Sequence, residues 1–250
     1  MKVRIATGAG WLAGAHALIL GLFWLLLRVP ESNLLMLAAS AVLAATIVVA
    51  SGCVETVALL ALRGGPFGRQ LLRRGVGGVL PFVASLAVFA LVWFATVRFD
   101  GWWASARGEI DAWLIARLGW TDAGWLHAAV RWATAFVRWV LGLSLALALF
   151  AALVREEPAG EARAEDGGMR VGLGRRWFRA AVSPRALLGL LALIVVFAWL
   201  PWQAAYWRPS WVSPSWAEVL FVATKLGALY LLATIGWTLA LLLANRLRLP

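Results

Sequence analysis

The chain has 250 residues, of which 63% are hydrophobic and only 14% are charged, and its formal net charge is +11. Soluble domains carry about a quarter charged residues, so a water-soluble fold of this composition would leave much apolar surface uncovered. The positive charge is spread over short segments beside apolar runs, where membrane topology and anionic lipid headgroups account for it. We therefore expect a membrane protein that has lipids as partners and binds no nucleic acid.

Six apolar runs predict the membrane spans. Each has about 19 or more largely apolar residues, which lets a helix cross about 30 Å of hydrocarbon at about 1.5 Å per residue. Lipid-facing strands would alternate polar and apolar residues, and these runs do not. The sequence predicts an all-α, polytopic integral membrane protein whose single domain has six transmembrane helices. Their approximate bounds are 9–27, 34–62, 79–97, 132–154, 186–206 and 216–244.

The first two spans each carry one ionisable side chain at matching depth. His16 lies about seven residues from the start of the first span and Glu55 about seven from the end of the second, so both are expected about 10 Å below the same membrane surface. Such a pair is more often a polar clamp between helices than a proton relay, which is the alternative. Cys53 is the only cysteine, so the sequence offers no intrachain disulfide, and we predict no metal site.

The segment 99–131 follows the third span and is the largest part of the chain outside the predicted spans. Projected as a helix, residues 103–118 place their large apolar side chains mostly on one side, and Arg107 and Arg117 fall near that side. The stems of these arginines can reach along the apolar surface to lipid phosphates. We predict an interfacial amphipathic helix between spans 3 and 4, whose outer surface comprises Trp102, Trp103, Arg107, Trp113 and Arg117.

The fourth span is predicted to begin outside the membrane, capped by Thr121 or Asp122, and to project above the bilayer. Arg138 enters its outer half, where it either extends to the headgroups or binds a ligand. A cytoplasmic loop, 155–185, follows, with an acidic first half and a basic second half.

The last span carries Lys225 about nine residues from its start, and Glu218 lies two turns above Lys225 on the same helix face. Glu218, Lys225 and Arg138 all fall in the predicted outer half of the membrane. They are therefore a possible outer cluster of polar side chains.

Basic residues and tryptophans agree on the orientation of the chain. Fifteen Lys and Arg residues fall in segments assigned to the cytoplasm and six in external segments, which is the bias that sets membrane topology. Fourteen of the 17 tryptophans lie in or beside the external segments, and indole favours the membrane interface. We expect a multi-pass protein of a bacterial-type cytoplasmic (inner) membrane with both termini in the cytoplasm.

Enzyme motifs are absent from the sequence. There is no Walker A, HExxH or CxxC motif, and the two histidines lie near opposite membrane faces, which excludes a bis-histidine haem site. We expect a non-catalytic protein without a cofactor. It would be a component of a membrane complex, or a lipid-organising or assembly protein, with a membrane-protein partner or a second copy of itself. The alternative is a transporter or permease domain for a small or amphiphilic solute.

Overall fold

The computed structural model describes residues 2–30, 33–63, 69–120, 122–154, 177–206 and 216–246. Of these residues 94% are helical, and none of them is in a strand. A short helical stretch, 177–181, precedes α6, and the hydroxyl of Ser144 donates to the carbonyl of Ala181 at 2.6 Å, which fixes that stretch against α5. The main helices are α1 (Lys2–Arg28), α2 (Leu34–Leu62), α3 (Arg69–Gly77), α4 (Val79–Leu118), α5 (Gly124–Leu153), α6 (Pro184–Tyr206) and α7 (Trp216–Arg246).

Five of these helices, α2, α4, α5, α6 and α7, are long and apolar enough to cross a membrane, with mean hydropathies between 2.0 and 2.4. The prediction of an all-α, multi-pass membrane protein is thus confirmed. Helix α1 has 27 residues, but its described apolar part, Leu12–Arg28, is shorter than the other five spans. Its membrane crossing, and with it the count of six, stays a prediction.

Three helix ends show how terminal backbone groups are satisfied or the chain is turned. The side chain of Asn33 accepts from the N–H of Met36 at 2.9 Å at the start of α2. Asp122, one of the two residues predicted to cap the fourth span, accepts from the N–H of Gly124 at 2.7 Å; Thr121 lies outside the described residues. Helix α4 ends at Gly119, whose φ of 67° is the left-handed conformation that glycine adopts without strain.

Helix α4 differs from the sequence prediction. A span ending near Val97 and a separate interfacial helix over 103–118 were expected, but the structure has one unbroken helix of 40 residues. The only poor helix former at the expected boundary is Gly101, and one internal glycine costs about 1 kcal/mol, which is too little to stop a long helix. The amphipathic residues therefore extend the third span.

Helices α4 and α5 form an antiparallel hairpin that is longer than a membrane is thick. At about 1.5 Å per residue α4 is about 60 Å long and α5 about 45 Å, whereas the hydrocarbon is about 30 Å thick. We call residues 99–118 of α4 and 122–133, which lead into α5, the hairpin extension. The ring of His127 and the carboxylate of Asp111 join its two arms at 2.8 Å.

Two single π-helical turns interrupt the α-helical hydrogen bonding. In α6 the turn covers Val195–Trp199, and Pro201, which has no N–H to give, follows it by two residues. In α5 the turn covers Val137–Leu141 and contains Arg138. Such turns insert one extra residue and change the direction of a side chain, and they occur often at functional sites.

Packing is densest at one end of the bundle. Arg63, at the end of α2, contacts the last carbonyls of α5 and the side chain of Asn245 in α7, so these three helix ends meet. The largest buried apolar cluster lies beside them and includes Leu59, Leu147 and Leu241. We call this the arginine end and the opposite one the tryptophan end. At the tryptophan end the first residues of α2 are exposed, as lipid-facing side chains are.

Candidate functional site

His16 and Glu55 form the best-defined polar contact inside the spans. Nε2 of His16 lies 2.8 Å from Oε1 of Glu55, so the pair predicted from matching depth in α1 and α2 is brought together. A third helix joins them, because the indole N–H of Trp237 in α7 donates to Oε2 of Glu55 at 2.7 Å. Glu55 is only 5% exposed, so its carboxylate depends on these two partners in place of water.

The hydrogen bonds restrict where protons lie in this triad of His16, Glu55 and Trp237. Nδ1 of His16 is 2.9 Å from the carbonyl oxygen of Leu12, which only accepts, so Nδ1 carries a hydrogen. The indole N–H only donates, so Oε2 of Glu55 accepts. One proton is left between Nε2 of His16 and Oε1 of Glu55. The pair is either an imidazolium with a carboxylate or a neutral imidazole with a carboxylic acid, and it is neutral overall in both forms.

A further bond ties α7 to α1 near the triad. The hydroxyl of Tyr230 donates to the carbonyl of Ala13, one turn before His16. Helix α7 is therefore bonded to α2 through Trp237 and to α1 through Tyr230. Trp237 was not predicted to be a partner of Glu55. It was one of the three tryptophans that were not assigned to the outer side, and this was the feature of the sequence that could have indicated a contact near the inner pair.

Arg138 lies in the π-turn of α5 and faces α4. Its Nε donates to the hydroxyl of Thr96 at 3.0 Å, and Nη2 makes a short ion pair with Asp100. Its guanidinium also lies over the ring of Trp93, 5.0 Å from the centroid. Arg138 thus contacts three side chains of one neighbouring helix and links α5 to α4. Asp100 and Thr96 were not singled out from the sequence.

Lys225 and Glu218 were predicted to share an outer cluster with Arg138. The structure instead gives Lys225 partners on α6 and α7: its ammonium donates to the carbonyl of Ala205 at 2.9 Å and lies 4.7 Å from the ring centroid of Phe221. Glu218 is half-buried in the first turn of α7. The contacts described above for Arg138 are all on α4, whereas those for Lys225 are on α6 and α7.

The predicted outer surface divides into exposed and packed residues. Trp102 and Trp113 are each 57% exposed, and Arg117 is exposed in the last turn of α4. Trp103 is half-buried, with its ring against that of His127 at a centroid distance of 5.7 Å. Arg107 lies 3.9 Å from Asp111, the same carboxylate that holds His127. Asp111 and His127 were missed because their pairing depends on a hairpin that the sequence analysis did not predict.

Arg63 was counted from the sequence only as a basic loop residue. In the structure Nη2 donates to the carbonyl of Ala151 at 2.8 Å, Nη1 donates to that of Val154, and Nε donates to the side chain of Asn245 at 3.1 Å. The last carbonyls of a helix lack internal partners and carry partial negative charge, so a guanidinium there is stabilising. Arg63 therefore caps α5 from another helix.

Across the described segments, no group of three His, Cys, Asp or Glu side chains is placed to hold a metal ion. Comparisons with protein-family models, curated proteins and solved structures found no match. The side chains themselves are therefore the basis for a functional assignment. They form interhelical links inside the spans and an exposed aromatic surface on the hairpin extension.

Proposed function

We propose that this chain is a non-catalytic integral membrane protein that assembles with a membrane-protein partner or a second copy of itself through the hairpin extension. In this proposal it has six spans in a bacterial-type inner membrane, with both termini and the arginine end in the cytoplasm. Membrane lipids are its other partners. The hairpin extension then stands on the outer side.

The observation that carries the proposal is the exposure of large aromatic side chains on a part of the chain that extends past the membrane thickness. Trp102, Trp113 and Trp125 are 56 to 57% exposed and Trp132 is 70% exposed. Ile115 and Leu118 in the same arm of α4 are more than half exposed. Apolar groups clustered on a projecting element mark a site where another protein or a membrane surface binds.

The polar side chains inside the spans support a structural role. His16, Glu55 and Arg138 each bond to a side chain of another helix, and the ammonium of Lys225 to a carbonyl of another helix. A solute path would need polar groups lining a continuous wet cavity through the membrane. In the described bundle these groups are used between helices instead, which favours assembly over transport.

The two ends of the bundle support the proposed orientation. Eleven tryptophans that the sequence assigns to the outer side are exposed, and all of them lie toward the tryptophan end. Exposed arginines occur at both ends of the described bundle, so the proposed cytoplasmic side of the other end follows from the sequence, in which fifteen basic residues fall on that side and six on the outer side. The exposed tryptophans are Trp24, Trp93, Trp102, Trp113, Trp120, Trp125, Trp132, Trp139, Trp199, Trp202 and Trp216.

The test replaces two of the four exposed tryptophans of the hairpin extension. We expect Trp102→Leu combined with Trp113→Leu to leave expression and solubility in mild detergent intact, because both rings are more than half exposed. Binding energy in an interface is concentrated in a few aromatic and arginine residues, so recovery of co-purifying protein should fall at least about tenfold. The measurement is quantitative mass spectrometry of affinity-purified complexes from matched membranes, together with the oligomeric mass of the pure protein.

The matched control is Trp199→Leu combined with Trp202→Leu in α6, which removes two exposed indoles from the same end but outside the hairpin extension. Anchoring by indoles is distributed, so equal and small effects of both pairs would make these rings membrane anchors and contradict the proposal. Unchanged assembly accompanied by loss of a pH-dependent solute flux in the His16→Ala variant would favour the transporter alternative.

A further inference from the structure

A cavity of about 350 Å³ lies at the arginine end, where α2, α3, α4 and the end of α5 meet. Its walls include Thr56 from α2, Arg73 and Arg74 from α3, and Leu153 from α5. It is separate from the His16, Glu55 and Trp237 triad and from the hairpin extension, and none of the interhelical links described above uses these four side chains. The volume falls within the range of small-molecule sites, about 300 to 1,000 Å³.

Thr56 gives the cavity a buried hydroxyl without a partner. The residue is 1% exposed, and its Oγ1 makes no hydrogen bond to any described residue. Among the described residues, four other helical threonines donate to the carbonyl four residues earlier and two more to the carbonyl three residues earlier, which is the usual way for a helix to satisfy such a hydroxyl. Thr56 does not, so its hydroxyl is a buried donor without a described partner in the wall of the cavity. The four are Thr46, Thr224, Thr234 and Thr238.

Gly78 holds this hydroxyl in its position at the junction of α3 and α4. A Cβ atom built on Gly78 would lie 1.8 Å from Oγ1 of Thr56, so only glycine fits there. Gly78 also begins α4 without a side-chain cap, which leaves the first N–H groups of that helix without a side-chain acceptor. The hydroxyl and the first turn of α4 therefore lie at the same wall.

The charge of the cavity is positive. Arg73 and Arg74 line it and are both exposed, so their guanidinium groups are free to orient toward a bound anion. No acidic residue is among the described residues that form its walls. Arg63 adds positive charge close by, because it donates to the carbonyl of Val154, another wall residue.

The remaining walls are apolar and reach the lipid-facing surface. Leu60, Pro81 and Val154 line the interior, and Leu153 is 38% exposed at its margin. Leu80, at the start of α4 beside Pro81, is 77% exposed. For a ligand with an anionic headgroup and hydrocarbon chains, the headgroup would contact the guanidinium groups, and the hydrocarbon chains would contact the apolar side chains that lead to the bilayer.

We infer that this cavity binds the phosphate of an anionic phospholipid from the leaflet at the arginine end. The guanidinium groups of Arg73 and Arg74 pair with the phosphate oxygens, and the hydroxyl of Thr56 donates to the phosphodiester. The acyl chains leave past Leu153 and Leu80 into the bilayer. The site is at the opposite end from the hairpin extension, so its failure and the failure of the assembly proposal are distinguishable.

The test is a lipid titration of the full-length protein, delipidated in detergent, followed by native mass spectrometry. We expect phosphatidylglycerol to bind more tightly than phosphatidylcholine of the same chain length. Each guanidinium near a membrane surface strengthens the binding of an anionic lipid about fivefold, so Arg73→Gln combined with Arg74→Gln should weaken it about thirtyfold. Both side chains are exposed, so the variant should keep the wild-type thermal unfolding midpoint in detergent.

Two further variants make the result specific. Arg179→Gln combined with Arg185→Gln removes the same charge from exposed positions at the same end, outside the cavity, and should leave binding within about twofold of wild type. Thr56→Val keeps the side-chain shape and should weaken phosphatidylglycerol about tenfold through loss of one charge-assisted hydrogen bond.

Three outcomes would overturn the inference. Both lipids carry a phosphodiester and differ in the choline ammonium, so equal binding would show that the net negative charge of the headgroup is not recognised. An equal effect of both arginine pairs would show that the preference comes from the overall positive charge of this end and not from the cavity. Competition by millimolar inorganic phosphate that displaces the lipid would mean that the cavity takes a soluble anion.

Discussion

Replacing His16 by alanine tests the buried triad most directly. The change leaves Oε1 of Glu55 without its partner at 2.8 Å, while Oε2 keeps the indole N–H of Trp237 at 2.7 Å. Hydrogen bonds to charged groups contribute about 1.5–3 kcal/mol. Side-chain hydrogen bonds measured between transmembrane helices contribute less, about 0.6 kcal/mol on average and at most about 1.7 kcal/mol. For a carboxyl group that is 5% exposed we expect a loss of about 2 kcal/mol in the free energy of unfolding.

Glu55→Gln should cost less than His16→Ala. Its amide oxygen can accept from Trp237 and its amide N–H can donate to Nε2 of a neutral His16, so both bonds survive without a buried charge. In that background His16→Ala should cost about 1 kcal/mol, which gives a coupling energy of about 1 kcal/mol for the pair.

The assay is reversible unfolding by sodium dodecyl sulfate in mixed micelles, measured for wild type, both single variants and the double variant. The control cycle combines His16→Ala with Thr224→Ala, because the Thr224 hydroxyl bonds only within α7 and is exposed. Single-variant effects that add to within about 0.5 kcal/mol in the main cycle would refute the contact between His16 and Glu55. A coupling in the control cycle as large as in the main cycle would refute its assignment to this pair.

Two further predictions concern the arginine end and the orientation. Arg63→Ala should lower the free energy of unfolding by about 2–4 kcal/mol, because the end of α5 loses its guanidinium cap. Arg246→Ala, at an exposed position of the same end, should change it by less than about 0.5 kcal/mol. Equal effects of the two variants in the same unfolding assay would contradict the capping role. In a Cys53→Ser background, a membrane-impermeant thiol reagent added from outside should label a cysteine at Ser213 and not one at Gly167, both of which lie outside the described residues; the reverse pattern would invert the proposed topology.

The sequence predicted the features that depend on local composition. Apolar run length located α2, α4, α5, α6 and α7, and matching depth was sufficient to pair His16 with Glu55. Both inferences need only the rise per residue of a helix and the thickness of a membrane.

The features it did not predict depend on which helix faces which. Trp237 reaches Glu55 only because α7 packs beside α2, and Arg63 reaches Ala151 only because the ends of α2 and α5 coincide. Neither fact follows from hydropathy. The continuity of α4 was not predicted for a different reason. The composition changes from apolar to amphipathic near Val97, but no residue there stops a helix.

The contacts made by α7 have a consequence for how the protein is made. Glu55 and Trp237 are 182 residues apart in the chain, and so are Arg63 and Asn245. At about 5–20 residues per second, a ribosome adds these partners about 10–40 s after Glu55 and Arg63 have been synthesised. Until then His16 is the only one of the two Glu55 partners that exists. A chain truncated before α7 would enter the membrane without these two contacts, so Oε2 of Glu55 would lack the indole donor of Trp237 and Nε of Arg63 would lack the side chain of Asn245.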